Sequence, residues 1–272
     1  MDVHLFGDID IDLGARRLDA RSFRGRKPKQ LLEVLLVRRG VPVPTDEIAS
    51  LLWGDAPPPD VRGTVQHYVS LLRRQLPRDR LAGSVVLHGR GGYTLDPCRF
   101  TLDLDRFDEA AVAAEVAPTA QRRALLRGAL DLVRGVVLAD EPDASWATDV
   151  RARYQRAHVS MLLQASAAAL ADAEPDTARD LAMTAVGQDP YAEPAACLLM
   201  AAHYAAGNGQ AALASFERCR QGLTEALGVD PLPRTLDMHR AILRHAPVTE
   251  LVTQALQLAH AYRSGGALRV PA

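Results

Sequence analysis

Asp60–Leu76 reads DVRGTVQHYVSLLRRQL. A helix over this stretch places Val61, Val65, Tyr68, Leu72 and Leu76 on one stripe at spacings of 4, 3, 4 and 4, the period of an amphipathic helix. The opposite side then presents Gly63, His67, Ser70 and Arg74, flanked by Gln66 and Arg73. Such a small, polar, cationic face suits either bulk solvent or the major groove of DNA. In the groove, glutamine pairs with adenine edges, arginine with guanine O6 and N7, and serine with either. The helix alone reads first as a solvated face. Its surroundings reverse that reading.

Upstream, Thr45 is expected to cap a helix whose first turn carries Asp46 and Glu47, both favourable to its dipole. Ile48, Leu51 and Leu52 face inward and Trp53 ends it. Gly54, Asp55, Ala56, Pro57, Pro58 and Pro59 must form a loop, because three prolines cannot continue a helix. Asp60 then caps the basic helix. Two helices joined by a turn, the second amphipathic and basic, form a helix-turn-helix pattern. Downstream, Val85–His88 and Tyr93–Leu95 flank Gly89-Arg90-Gly91-Gly92, a hairpin with Arg90 and Gly91 at its tip. It reads as a plain surface hairpin or as a wing whose arginine enters a narrow minor groove.

At the N-terminus, Val3, Leu5, Ile9, Ile11 and Leu13 alternate with Asp8, Asp10 and Asp12, as in a small antiparallel sheet with its acids towards water. Arg24-Gly25-Arg26-Lys27-Pro28-Lys29 precedes a helix with Leu31, Leu32, Leu35 and Leu36 on its apolar face, stopped at Gly40. Arg26 and Lys27 there are either phosphate contacts or part of a solvated loop. The P-loop pattern GxxxxGK[ST] is absent.

Charge is unevenly spread. Residues 61–95 carry six arginines and one acid, Asp79, in a chain whose net charge is −1. A basic patch on an otherwise acidic protein is the footprint of nucleic-acid binding. Cys98, Cys197 and Cys219 show no metal or disulfide spacing. Neither a signal peptide nor a run long enough to span a membrane is present, so the expectation is a cytoplasmic, nucleoid-associated protein. No HExxH or GxSxG appears, the eight histidines are scattered, and the acids Asp103, Asp105, Asp108 and Glu109 suit a helix start. No catalytic residue, metal site or cofactor is expected.

Beyond Phe100–Asp105 the chain becomes Ala-rich and helical, with helices expected near 105–116, 119–133, 145–173, 175–187, 191–206, 209–227 and 233–245. Asp189-Pro190 recurs as Asp230-Pro231, 41 residues later. His203–Asn208, followed by Ala211, Leu213 and Phe216, resembles a tetratricopeptide (TPR) turn and second helix. Such hairpins form interaction surfaces, or enlarge a core and hold a dimer.

LLEVLLVRRGVPVPTDEIASLLWG, TVQHYVSLLRRQL and GRGGYTL, in that order, resemble the winged helix of the OmpR type. With the helical part, the chain resembles the short form of the Streptomyces antibiotic regulatory protein family. The resemblance implies a mainly α fold with a small β component. An OmpR-type winged-helix DNA-binding domain at 1–100 is followed by an all-α, TPR-like bacterial transcriptional activator domain at 101–246, and then by a C-terminal helix and tail at 247–272. It implies a recognition helix at 60–76 and a wing at 85–95. It further implies an activator that binds direct repeats in promoter DNA as a dimer, and meets RNA polymerase holoenzyme through Gly54–Pro59, in an antibiotic cluster. Thr64, Gln66, His67, Ser70 and one of Arg73 or Arg74 are the candidates for base edges. Arg62, Arg73, Arg74 and Arg90, with Arg26 and Lys27, are the candidates for phosphates. One departure stands out: Leu71 occupies a place where the family often has arginine. The alternatives are a TPR-like ligand- or peptide-binding sensor or scaffold, and a repressor with the same DNA contacts.

Overall fold

The computed structural model describes residues 1–79 and 83–265. Packing divides the chain into two compact units that a single cut does not separate. The first is Met1–Glu109 with Leu132–Arg153, and the second is Ala110–Asp131 with Tyr154 onwards.

In chain order the first unit contains β1 (Asp2–His4), β2 (Asp10–Asp12), β3 (Arg17–Asp19), α1 (Arg26–Val37), α2 (Thr45–Trp53) and α3 (Val61–Gln75). These are followed by β4 (Arg78–Asp79), β5 (Gly83–Ser84), β6 (Val86–Gly89), β7 (Gly92–Leu95) and β8 (Thr101–Leu102). The N-terminal sheet has the order β3-β2-β1-β8, with β8 parallel to β1 and the other pairs antiparallel. Register aligns Val3 with Ile11 and Ile11 with Leu18, and all three are buried. The acids fall between them: Asp10 pairs with Arg17 at 2.8 Å. The parallel fourth strand extends the antiparallel sheet that the alternation suggests, and Leu13, just past β2, is only half-buried.

Leu31, Leu32, Leu35 and Leu36 of α1 and Ile48 and Leu52 of α2 are buried, as their spacing requires. Thr45 is not the cap of α2. That position is Pro44, with no side-chain hydrogen bond, and Thr45 is the first helical residue. Asp46 and Glu47 do occupy the first turn. α3 packs on both earlier helices. Val65, Val69 and Leu72 are its buried residues, with Leu76 buried just beyond.

Residues 132–153 join this unit through backbone bonds. Gly7 donates to Val136 O at 3.1 Å, Leu138 to Leu5 O at 2.9 Å, and Ala139 to Gly7 O at 3.0 Å. Charge completes the attachment. Glu141, fully buried, accepts from Gln30 at 2.6 Å and Arg26 at 2.9 Å, and Lys29 lies 2.7 Å away.

The helices of the remainder are α4 (Asp103–Val116), α5 (Thr119–Leu132), α6 (Thr148–Ala171), α7 (Pro175–Gln188), α8 (Glu193–Ala205), α9 (Gly209–Leu227), α10 (Pro233–Leu243) and α11 (Val248–Gly265). The tail expected from Ser264 thus starts as helix, and residues 266–272 lie outside the described residues. α6–α7, α8–α9 and α10–α11 are joined by the same kind of turn. Ala173, Gly207 and His245 each have positive φ, two residues past a helix end. The next amide returns each time to the helix: Glu174 to Ala169 O, Asn208 to His203 O, and Ala246 to Ala241 O, at 2.9–3.0 Å. This is a Schellman closure used three times. Counted at these turns the repeat runs 34 residues, from 173 to 207, and then 38, from 207 to 245. Alanines such as Ala182, Ala201 and Ala212 are fully buried and let the helices approach closely. Tyr204 donates to Ala246 O at 2.8 Å, tying the second turn to the third.

Candidate nucleic-acid interface

α3 starts where Asp60 caps it, its carboxylate accepting the N–H of Gly63 at 2.8 Å. From that start the helix turns Arg62, Gln66, His67, Ser70 and Arg74 outward, and all five are exposed. Thr64 is half-buried and its hydroxyl donates to Asp60 O at 2.7 Å. The Ser70 hydroxyl donates to Gln66 O at 2.9 Å, which leaves its oxygen lone pairs as acceptors. Leu71 is half-buried. Tyr68 stacks on Trp53 with ring centroids 6.1 Å apart, bracing α3 against the end of α2.

The hairpin β6–β7 pairs Val86 with Leu95 and His88 with Tyr93. Its other side bonds to the segment before α2: Val43 N donates to Tyr93 O at 2.8 Å and Tyr93 N to Val43 O at 3.0 Å. Gly92 makes this approach possible, since a Cβ there would stand 2.1 Å from Val43 O. Arg90 and Gly91 at the tip are exposed. His88, which sequence reasoning passed over, is exposed and stacks on Tyr93 at 4.4 Å. Its place opposite the buried Tyr93 is set by the hairpin register, since every residue of β6 after Val86 is exposed.

Arg73 and Arg74 are not equivalent. Arg74 is exposed, while Arg73 is half-buried and donates Nε and Nη2 to Val86 O at 3.2 and 3.0 Å. Of the basic cluster, Arg24 and Arg26 are exposed and Lys27 is half-buried. Arg26 and Lys27 open the helix, where Arg26 pairs with Glu141 and Lys27 donates to Leu52 O. Burial pulls the Lys27 ammonium below the usual lysine pKa. The loop Gly54–Pro59 is exposed except for a half-buried Pro58. The structure therefore brings together Arg62, Gln66, His67, Ser70 and Arg74 on one helix face, and places Arg26 and Lys27 in intramolecular contacts. Among the described residues no helix is long and apolar enough to cross a membrane.

Residues 102–243 match the bacterial transcriptional activator domain family. The regulatory protein AfsR of Streptomyces griseus is 32% identical over 241 residues, covering 82% of this chain and 24% of AfsR. The regulatory protein DnrI of Streptomyces peucetius is 29% identical over 241 residues, covering 82% of this chain and 85% of DnrI. A solved structure of Mycobacterium tuberculosis EmbR, in complex with a low affinity phosphopeptide, superposes with a TM-score of 0.77 at 26% identity, over 96% of this chain and 69% of that one. The chain thus spans about a quarter of the length of AfsR. The chain therefore carries a bacterial transcriptional activator domain behind its winged helix, and it belongs to the Streptomyces antibiotic regulatory protein family of DNA-binding transcriptional regulators.

Proposed function

We propose that this DNA-binding regulator reads promoter DNA by laying α3 in the major groove while Arg90 of the wing enters the adjacent minor groove. The exposed face of Arg62, Gln66, His67, Ser70 and Arg74 carries the reading, because it is polar, cationic and unscreened by any acid within the helix. Gln66 and Arg74 suit bidentate contacts with adenine and guanine, and His67 and Ser70 add single bonds. Arg62 and Arg90 suit phosphates or the minor-groove floor. On this reading the protein is an activator. Two copies bind direct repeats, and the exposed loop Gly54–Pro59 meets RNA polymerase at a promoter of an antibiotic cluster.

Binding of the wild-type chain and Arg74→Ala to a duplex selected from a random library, across a salt series, tests the core of the reading. A base contact predicts a loss of about 1–3 kcal/mol with relaxed preference at one base pair. Equal affinity and equal preference would end the assignment. Transcription in vitro with RNA polymerase gives the sign, and a fall in transcript makes the protein a repressor with the same contacts.

A second reading is favoured by the EmbR complex, in which that protein is bound to a phosphopeptide. The helical hairpins of this chain would then take a peptide and act as a sensor. Calorimetric titration with a phosphothreonine peptide and its unphosphorylated twin distinguishes this. Heat from the first alone supports the sensor, and no heat from either removes it.

A further inference from the structure

We propose that Arg73 is a positioning residue, whose guanidinium holds the edge strand of the wing against the recognition helix and so sets where Arg90 meets DNA. The inference rests on the reading of α3 and the wing given above, and changes the role of one residue within it.

Val86 opens β6 and is 1% exposed. Its amide donates to Ser84 Oγ at 3.1 Å, while the ladder bond beside it runs from Asp96 N to Val85 O at 3.0 Å. Since Val85 O faces β7, alternation turns the Val86 carbonyl to the opposite edge, where no strand of the hairpin can meet it. A buried backbone carbonyl needs a partner. Arg73 supplies two N–H groups from α3, at 3.2 and 3.0 Å. The hairpin is therefore gripped from both sides, β7 by Val43 and β6 by Arg73. Beyond these grips β6 runs on through Leu87 and His88 to the tip, Gly89–Gly92. Two of the N–H groups of Arg73 point into the protein, so its loss acts first on the wing. A direct phosphate contact by Arg73 is the rival.

The test uses the full chain and a duplex selected from a random library by the wild type. Arg73→Gln carries Nε2 at the branch position where arginine has Nε, so it keeps one donor for Val86 O and drops the charge. Arg73→Met drops both. Positioning predicts that Arg73→Gln stays near wild type with an unchanged salt slope. Arg73→Met should lose about tenfold, the scale of one charge-assisted bond. Its minor-groove footprint at the wing should vanish while the major-groove footprint of α3 persists, which also reports a folded protein. Adding Arg90→Ala to Arg73→Met should then cost far less than Arg90→Ala alone.

Two results overturn the proposal. In one, Gln and Met weaken binding equally, each lowering the salt slope by about one phosphate contact. In the other, the losses of Arg73→Met and Arg90→Ala multiply. If Arg73→Met loses both footprints, the salt slope of Arg73→Gln decides alone: unchanged with an intact wing footprint supports positioning, and lowered by one contact overturns it. A wild-type chain that selects no duplex fails the α3 reading itself, and the positioning role with it. Intact binding with independent Arg73 and Arg90 fails only the positioning role.

Discussion

Asp60 and Gly63 are fitted to each other at the start of α3. One carboxylate oxygen accepts the Gly63 N–H at 2.8 Å, and a Cβ at 63 would stand 2.1 Å from the other oxygen. The cap and the glycine therefore act as one device. Asp60→Ala is expected to cost about 1 kcal/mol, the usual value of an N-cap. Gly63→Ala should lose the same bond by driving the carboxylate away, but regain about 1 kcal/mol because alanine is the better helix former, and so stay near wild type. The double variant should be more stable than the sum predicts, because the one cap bond can be lost only once. Urea unfolding of the four proteins measures this, and strictly additive losses would refute the linkage.

The wing depends on a second close approach. Gly92 has φ +119°, and a Cβ there would meet Val43 O at 2.1 Å and Pro44 Cα at 2.8 Å. Both are backbone atoms that cannot turn aside. Gly92→Ala is expected to destabilise the winged-helix unit by about 2–4 kcal/mol and to weaken DNA binding through the displaced hairpin. Gly89, at the other end of the same turn, has nothing within 4 Å of its would-be Cβ. Gly89→Ala should stay within about 0.5 kcal/mol of wild type. Thermal midpoints of the pair check the contrast, and equal shifts would show that the Val43 contact is not what holds the wing.

The apolar stripe of α3 and the triple proline before it are periodic or unambiguous signals, so the helix-turn-helix and its outward face were legible in the sequence. The attachment of residues 132–153 was not. It is made by backbone groups of Leu5, Gly7, Val136 and Leu138, which leave no side-chain pattern. The charged residues that complete it, Lys29 and Glu141, read as surface residues until burial shows otherwise. Arg73 escaped for a related reason. It lies at the border of the stripe, where one helical position separates an exposed arginine from one that reaches a neighbouring strand. The 41-residue recurrence of Asp-Pro overstated the repeat, because it marks helix starts after connections of unequal length. The Schellman turns mark the hairpins themselves.

Asp103 shows how a residue read as a helix-start acid can be a structural anchor. It is fully buried, and accepts the N–H of Leu5 at 3.0 and 2.9 Å, Phe6 at 2.9 Å and its own neighbour Leu104 at 2.8 Å. Burial raises its carboxyl above the usual aspartate pKa although these amides favour the charged form. Asp103→Ala leaves the Leu5 and Phe6 amides without this acceptor, at about 1–3 kcal/mol each, so a loss of about 3 kcal/mol is expected. Asp103→Asn keeps one acceptor oxygen but turns an NH2 group towards donors, and should recover little. Unfolding by denaturant tests this, and an Asn variant as stable as wild type would show that one oxygen suffices.

Glu33 makes stability depend on pH in an unusual direction. Desolvation, together with the Asp140 and Glu141 carboxylates, pushes it up to about 8, against the pull of Lys29 at 3.0 Å. Lys29 is shared among all three acids, and Arg26 is engaged by Glu141. One Glu33 oxygen, Oε2, has no hydrogen-bond partner, which suits a protonated carboxyl. A folded-state pKa above the unfolded value of 4.5 means that the native state holds the extra proton between the two. Stability from this group therefore falls as pH rises from about 4.5 to about 8, and is level beyond. Glu141, whose pKa the Lys29, Gln30 and Arg26 bonds lower against its burial, acts oppositely: its contribution is lost only as pH falls below 4.5. Glu33→Gln removes the titration and keeps the shape of the protonated acid. Its stability relative to wild type is expected to climb steadily across pH 4.5–8 and then to plateau. Thermal midpoints of both proteins at half-unit pH steps give that difference, and a flat difference across the window would show that Glu33 is ionised in the folded chain.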